Sequence, residues 1–248
     1  NHSSIHVEVF INGTYRGNYQ LTEQKETGEG RVDINTDGGF LVELDTYFDE
    51  DYQFYSNYFK LPVMIQDPEF NSNEEMDYVK EAFHAFESTL YGENFPSNEF
   101  EKYTDVESLI NFMLVNEIVR NQELHWPKST YLYKEADSKI KWGPLWDYDW
   151  AFGYNEVNAY FVKKDLLFYA ERAYIDERAG NQFFARFFEV PGFKEKYYQR
   201  WEEVKPDVAD IVNYIDEKAK MLEKSQLENF KLGGMTTPNT KNAPYGEL

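Results

Sequence analysis

The chain has 248 residues, a formal net charge of −20 and no cysteine. That length holds one large domain or two small ones. The charge argues against a nucleic-acid backbone as partner and favours cationic partners, divalent metals or plain solubility, while the missing thiols exclude disulfide scaffolds, cysteine nucleophiles and cysteine zinc sites.

The chain opens NHSSIHVEVF, already in a strand pattern, with neither an initiator methionine nor a leader pattern. The expectation is a fragment or a processed product. Ile5, Val7, Val9 and Ile11 alternate, Asn12-Gly13 follows as a hairpin turn, and Tyr15, Tyr19 and Leu21 resume the alternation. This predicts a β-hairpin. TGEGRVDI reads as a loop leading to a short strand, GGFLVELD (38–45) as a strand with Glu43 and Asp45 opposite Leu44, and QFYSNYFKLPVMIQDP as one or two more strands.

Helical spacing begins at Met76, Val79, Ala82, Phe83, Phe86 and Leu90, behind a Ser72/Glu75 capping box. A second box, Thr104/Glu107, precedes VESLINFMLVNEIVRN, which is apolar almost all round and belongs at the centre of a helical core. Asn111, Asn116 and Glu117 interrupt it, so no membrane crossing is expected. TYLYKE and KIKWGPLW flank the turn ADS as a second hairpin. Helices are predicted at 181–189, 191–204 and 206–228, with Pro206 at a first helical position and a buried stripe of Val208, Ile211, Val212, Ile215, Ala219 and Leu222. The tail, 231–248, has turn composition and reads as loose. The order is α+β: a strand-rich part (1–70), then a mainly helical lobe (71–230) with an inserted β-hairpin, the whole a single domain.

Two segments carry candidate chemistry. GPLWDYDWAFGY holds Asp147 and Asp149 among Trp146, Tyr148, Trp150 and Phe152. An extended D-x-D pair puts both carboxylates on one face, which suits a divalent metal. The same acids also fit ion pairs with nearby Lys or Arg, or plain solvation. NQELHWPKSTYLY follows the apolar helix and crowds Asn121, Glu123, His125, Lys128 and Ser129 together. Glu123 or His125 suits a general base and Lys128 an anion; an ordinary polar turn shaped by Pro127 is the alternative. The second hairpin would bring 121–128 and 147–149 to one end. A base-bearing loop, a hairpin and then a metal-binding acid is the order of parts in kinase-type phosphoryl transfer.

At these residues the chain resembles the CotH (spore coat protein H) kinase family. VFINGTYRGNYQLTEQ is similar to its first hairpin, GGFLVELD to its next strand, NQELHWPKSTYLYKE to its catalytic loop, and WDYDWAFG to its W-D-x-D-x-x-x-G signature. The resemblance implies an atypical protein-kinase-like fold, with ATP and Mg²⁺ or Mn²⁺ used to phosphorylate Ser or Thr of protein substrates, here expected to be basic and Ser/Thr-rich. It implies metal binding at Asp147 and Asp149, catalysis by Glu123 and Asp147, and nucleotide contacts from Glu23, Gln24 and Lys128. Glu43 fits an orienting acid or a structural one. A spore coat, secreted or cell-surface setting is the family expectation.

This sequence departs from the family in three ways. Glu123 stands where Asp is common, Lys128 stands where a kinase-like loop offers Asn, and the family's phosphate-gripping lysine belongs to a region before the first hairpin. Glu123, Pro127, Lys128 and Ser129 together resemble a variant E-x-x-x-P-K-S loop. Two other readings follow: a catalytically impaired, pseudokinase-like binding module for protein or glycan, and a glycosidase using Glu123 with Asp147 or Asp149. Exposed Trp126, Trp142 and Trp150 would favour the binding module.

Overall fold

The computed structural model describes residues 3–152 and 178–232. Strands β1 (Ser4–Ile11) and β2 (Thr14–Thr22) form the predicted antiparallel hairpin, with a bulge at Val9/Phe10. Asn12 and Gly13 turn the chain at φ 49° and 75°, the left-handed region that an Asn-Gly turn supplies. The remaining strands make one five-stranded sheet in the order β4-β5-β3-β6-β7, where β3 is Phe40–Leu44, β4 Gln53–Tyr55, β5 Pro62–Asp67, β6 Thr130–Lys134 and β7 Lys141–Trp142.

This topology corrects the expectation of a hairpin inserted in a helical lobe. β6 pairs along its whole length with β3, from Phe40–Lys134 to Leu44–Thr130. The hairpin that leads to Asp147 is therefore built onto the central strand. The short strand expected within 27–34 is reduced to a single bridge between Thr27 and Val32.

Successive residues of β3 serve opposite faces of the sheet. Phe40, Val42 and Leu44 join the main core with Val79, Phe83, Phe86, Leu109, Met113, Phe183 and Phe187. Leu41 faces the other way, packing with Val32 and Tyr131. Helix α1 spans Asp77–Ser88 and α2 Val106–Val119. α2 is apolar on nearly every side and buries Leu109, Ile110, Phe112, Met113 and Leu114, as its composition predicts.

Neither capping box forms. Met76 sits at the α1 N-cap without a side-chain bond, and Glu75 instead accepts from the Asn71 amide. Asp105 caps α2 by accepting from Ser108 N at 2.7 Å. Thr104 is buried, donating to Ile140 O and accepting from Trp142 Nε1. Helices α3 (Ala179–Glu189), α4 (Phe193–Val208) and α5 (Ile211–Phe230) follow. Pro206 lies inside α4, and the break falls at Ala209–Asp210. The predicted α5 stripe is not buried: Ile211, Val212 and Ile215 are exposed, and α5 meets β2 largely through polar contacts such as Asn18 N to Asn229 Oδ1 at 2.7 Å. The expected loose tail from residue 233 onward and Gly153 of the signature lie outside the described residues.

Candidate active site

Tight anchoring places the acids. α2 ends at Arg120, whose left-handed conformation (φ 56°) stops the helix. Asn121 then caps a 3-10 turn, Gln122–His125, by accepting from Glu123 N at 3.2 Å. Asn121 also donates to Asn116 Oδ1 at 3.1 Å, and Asn116 donates to Phe112 O at 2.9 Å. The same Asn116 hydrogen-bonds the Tyr148 hydroxyl. One asparagine on the central helix thus ties the Glu123 turn to the residue between the two aspartates.

Asp147 and Asp149 are exposed, so most of the cost of burying ionised carboxylates is avoided. Their segment is not an extended strand. Asp147 takes φ 56°, a left-handed conformation that aspartate tolerates better than most residues. The two side chains nevertheless meet and share a hydrogen bond. Partial desolvation, then the Asp147 charge and the hydrogen bond to it, raise the Asp149 carboxyl above its ordinary value. Two adjacent ionised carboxylates repel each other, and a divalent cation held between them relieves that repulsion. Among the described residues no three His, Asp or Glu side chains converge as a metal set. The pair fits an ion of the Mg²⁺ kind, which takes one or two carboxylates and fills its shell with water and phosphate oxygens.

Glu123 is 8% exposed, and its Oε2 has no hydrogen-bond partner among the described residues. Burial, followed by the charges of Asp147 and Asp149, pushes its carboxyl up to about 7. The turn and the D-x-D segment are thereby brought together. His125, the other base candidate, is 1% exposed and turned into the interior.

Lys128 lies 4.1 Å from the Tyr47 ring centre and 5.3 Å from that of Trp150, and its charge partly offsets the rise at Glu123. Its loop is clamped on both sides. Pro127 O accepts from Thr46 N at 3.0 Å, and buried Asp45 accepts from Ser129 N at 3.1 Å and from Tyr47 N at 2.7 Å. Asp45 is a positioning residue that sequence reading placed on β3 without a role. Its signal was an acid in a segment otherwise fit for burial.

A 650 Å³ cleft lies over the aspartates, walled by Leu145–Asp149 below and by Ser4, Gln20 and Thr22 of the first hairpin above. Gln20 and Thr22 were not anticipated. Glu23 and Gln24 follow just beyond this wall. Glu23 accepts from Ser3 N at 3.0 Å, and Gln24 is exposed. Of the three tryptophans that bear on a binding-module reading, Trp126 is 54% exposed, Trp142 is 6% exposed and Trp150 is half-buried beneath Lys128.

Behind the cleft, Glu43 is 3% exposed and held by three donors. These are Lys25 Nζ at 3.3 Å, Gln66 Nε2 at 2.9 Å and the Tyr131 hydroxyl. Burial raises its carboxyl, and the Tyr131 and Lys25 contacts oppose that rise.

Comparison with known proteins gives one family. The model described as CotH kinase protein matches residues 2–239, nearly the whole chain. No curated protein matches the chain.

Proposed function

The chain belongs to the CotH kinase family, and on that premise we propose that it is a kinase-like phosphotransferase moving the ATP γ-phosphate to a Ser or Thr hydroxyl of a protein. One observation carries the reading. Glu123, a carboxyl poised near neutrality, stands in the field of the paired Asp147 and Asp149 at the floor of the cleft. A general base works best when its pKa lies near the operating pH. Glu123 would accept the proton of the attacking hydroxyl. Asp147 and Asp149 would hold Mg²⁺ or Mn²⁺, whose chemistry is to bridge and neutralise phosphate oxygens. Lys128, fixed between Tyr47 and Trp150, supplies a stationary positive charge beside the base, suited to an anionic phosphate. The hairpin wall at Gln20 and Thr22, continuing to Glu23 and Gln24, is assigned to the nucleoside. The acidic surface suits a basic, Ser/Thr-rich protein substrate.

A binding module on the same fold is the second reading, favoured by exposed Trp126 and by Lys128 where a metal ligand would otherwise stand. Calorimetric titration of ATP with Mn²⁺ separates the readings when followed by phosphotransfer to a basic Ser/Thr-rich peptide. Binding that is lost in Asp147→Ala and Asp149→Ala, together with transfer that is lost in Glu123→Ala, supports the kinase. Binding without transfer supports the module. Absence of nucleotide binding overturns the kinase reading.

A further inference from the structure

We propose that Lys25, held by Glu43 and Tyr131 behind the aspartate cleft, is a binding site for the phosphate chain of the nucleotide; this rests on the kinase-like reading above. The family resemblance places a phosphate-gripping lysine before the first hairpin, whereas Lys25 lies after it, on the segment leading from β2 to β3.

The geometry of the pair points outward. Glu43 is buried on the face of β3 away from the main core, with its side chain 4% exposed, while the Lys25 side chain is 35% exposed. A lysine that only neutralised a buried acid would be expected to be covered with it. The Lys25 side chain is instead partly open to water beside the buried acid. An ammonium has three donors. Here one meets Glu43 and one the Tyr131 hydroxyl, which leaves a third for a ligand among the described contacts. The ammonium lies 5.0 Å from the Tyr131 ring centre, at the hydroxyl end of the ring, so the contact is a hydrogen bond rather than a cation over a π-face. Gln66 and Tyr131 hold the carboxylate that holds the lysine.

The pair lies one layer behind the cleft wall, and neither Lys25 nor Glu43 is itself among the wall residues. Trp146, a cleft wall, packs against the cluster containing Tyr131. The Asp147 charge is felt at Tyr131, and that of Asp45 at both Glu43 and Glu123. Thr22, also in the wall, lies just before Lys25 in the chain. Glu43, Asp45, Glu123, Asp147 and Asp149 make this neighbourhood strongly negative. A phosphate chain needs cations there, and a metal at the aspartates serves only one part of it. Lys25 supplies a second, rigidly held positive charge, and charge-assisted bonds to phosphate are among the stronger ones available.

Calorimetry on the full chain with three probes tests this: adenosine, Mn²⁺–ATP and Mn²⁺–tripolyphosphate. Lys25→Met is expected to weaken both phosphate probes by at least about tenfold, the scale of one charged hydrogen bond, and to leave adenosine unchanged. Glu43→Gln keeps the lysine but loosens its anchor, and should weaken the phosphate probes by a smaller factor. Unchanged phosphate affinity in Lys25→Met, with wild type binding, overturns the assignment and leaves the pair structural. Equal loss of adenosine and phosphate probes also overturns it, since that outcome reports damage to the fold. Wild type that binds none of the probes removes the kinase-like reading itself.

Discussion

Gly180 presses against Leu124 so closely that a methyl group added to it would lie 1.8 Å from the Leu124 carbonyl oxygen. Leu124 belongs to the turn that carries Glu123, so the start of α3 is a wedge behind the proposed base. The glycine is needed there for close approach. Gly180→Ala is expected to move the turn or the helix, costing roughly 1–3 kcal/mol in the manner of an overpacked core. Phosphotransfer should fall by more than ATP binding, because positioning errors of about 1 Å weigh heavily on the chemical step. Melting temperature and the ratio of kcat to nucleotide affinity check this.

Glu123 makes stability depend on pH. Its carboxyl rises from 4.5 to about 7 on folding, so between those values the folded chain keeps a proton that the unfolded chain has released. Stability from this group is therefore fully present below about 4.5 and is lost as pH rises through about 7. Glu123→Gln removes the titration. The variant should match wild type at pH 4 and exceed it at pH 8 by a few degrees in Tm, at about 2–4 °C per kcal/mol for a chain of this size. Melting curves in metal-free buffer at both pH values decide it. An ion at the aspartates would offset the charges that raise Glu123, so added Mn²⁺ should shrink the difference.

Metal binding at Asp147 and Asp149 competes with protonation of Asp149. Because the Asp149 carboxyl is raised above its ordinary value, the apparent Mn²⁺ affinity should climb as pH rises out of the acid range and then level off, with proton uptake by the buffer measurable by calorimetry. Asp149→Asn removes the proton release and most of the affinity. Stripping metal with EDTA should abolish ATP binding while leaving the circular dichroism spectrum unchanged.

Asp45 accepts the Ser129 and Tyr47 amides from a buried position. Asp45→Ala leaves both donors unpaired and should cost about 2–6 kcal/mol, given roughly 1–3 kcal/mol for each orphaned group. Asp45→Asn retains one acceptor oxygen and should lose about half as much. Quenching of the Trp150 fluorescence environment would report release of Lys128 from its place between the rings.

Local pattern sufficed for much of the fold. The Asn12-Gly13 hairpin, the strand Phe40–Leu44 that carries Glu43, and the apolar helix Val106–Val119 are each specified by residues close in sequence. The capping boxes failed because Ser72 and Thr104 had the right spacing but competing partners: Thr104 is recruited by Ile140 and Trp142 from β7 and its approach. The α5 stripe failed because helical periodicity shows which residues could be buried, and only packing shows whether anything covers them.

For the site, sequence alone determined the ingredients. It marked Asp147 and Asp149 as acids among rings, Glu123 and Lys128 as members of a crowded polar loop, and the second hairpin as the device that could join them. Tertiary structure decided their relationship. β6 pairs with β3, and that pairing, spanning residues far apart in the chain, sets Asp45 under the Lys128 loop and Tyr131 beside Glu43. Side-chain burial and long-range charge then raise Glu123, which no local window contains. Periodicity is a property of neighbours along the chain, whereas pKa, clamping and close approach belong to neighbours in space.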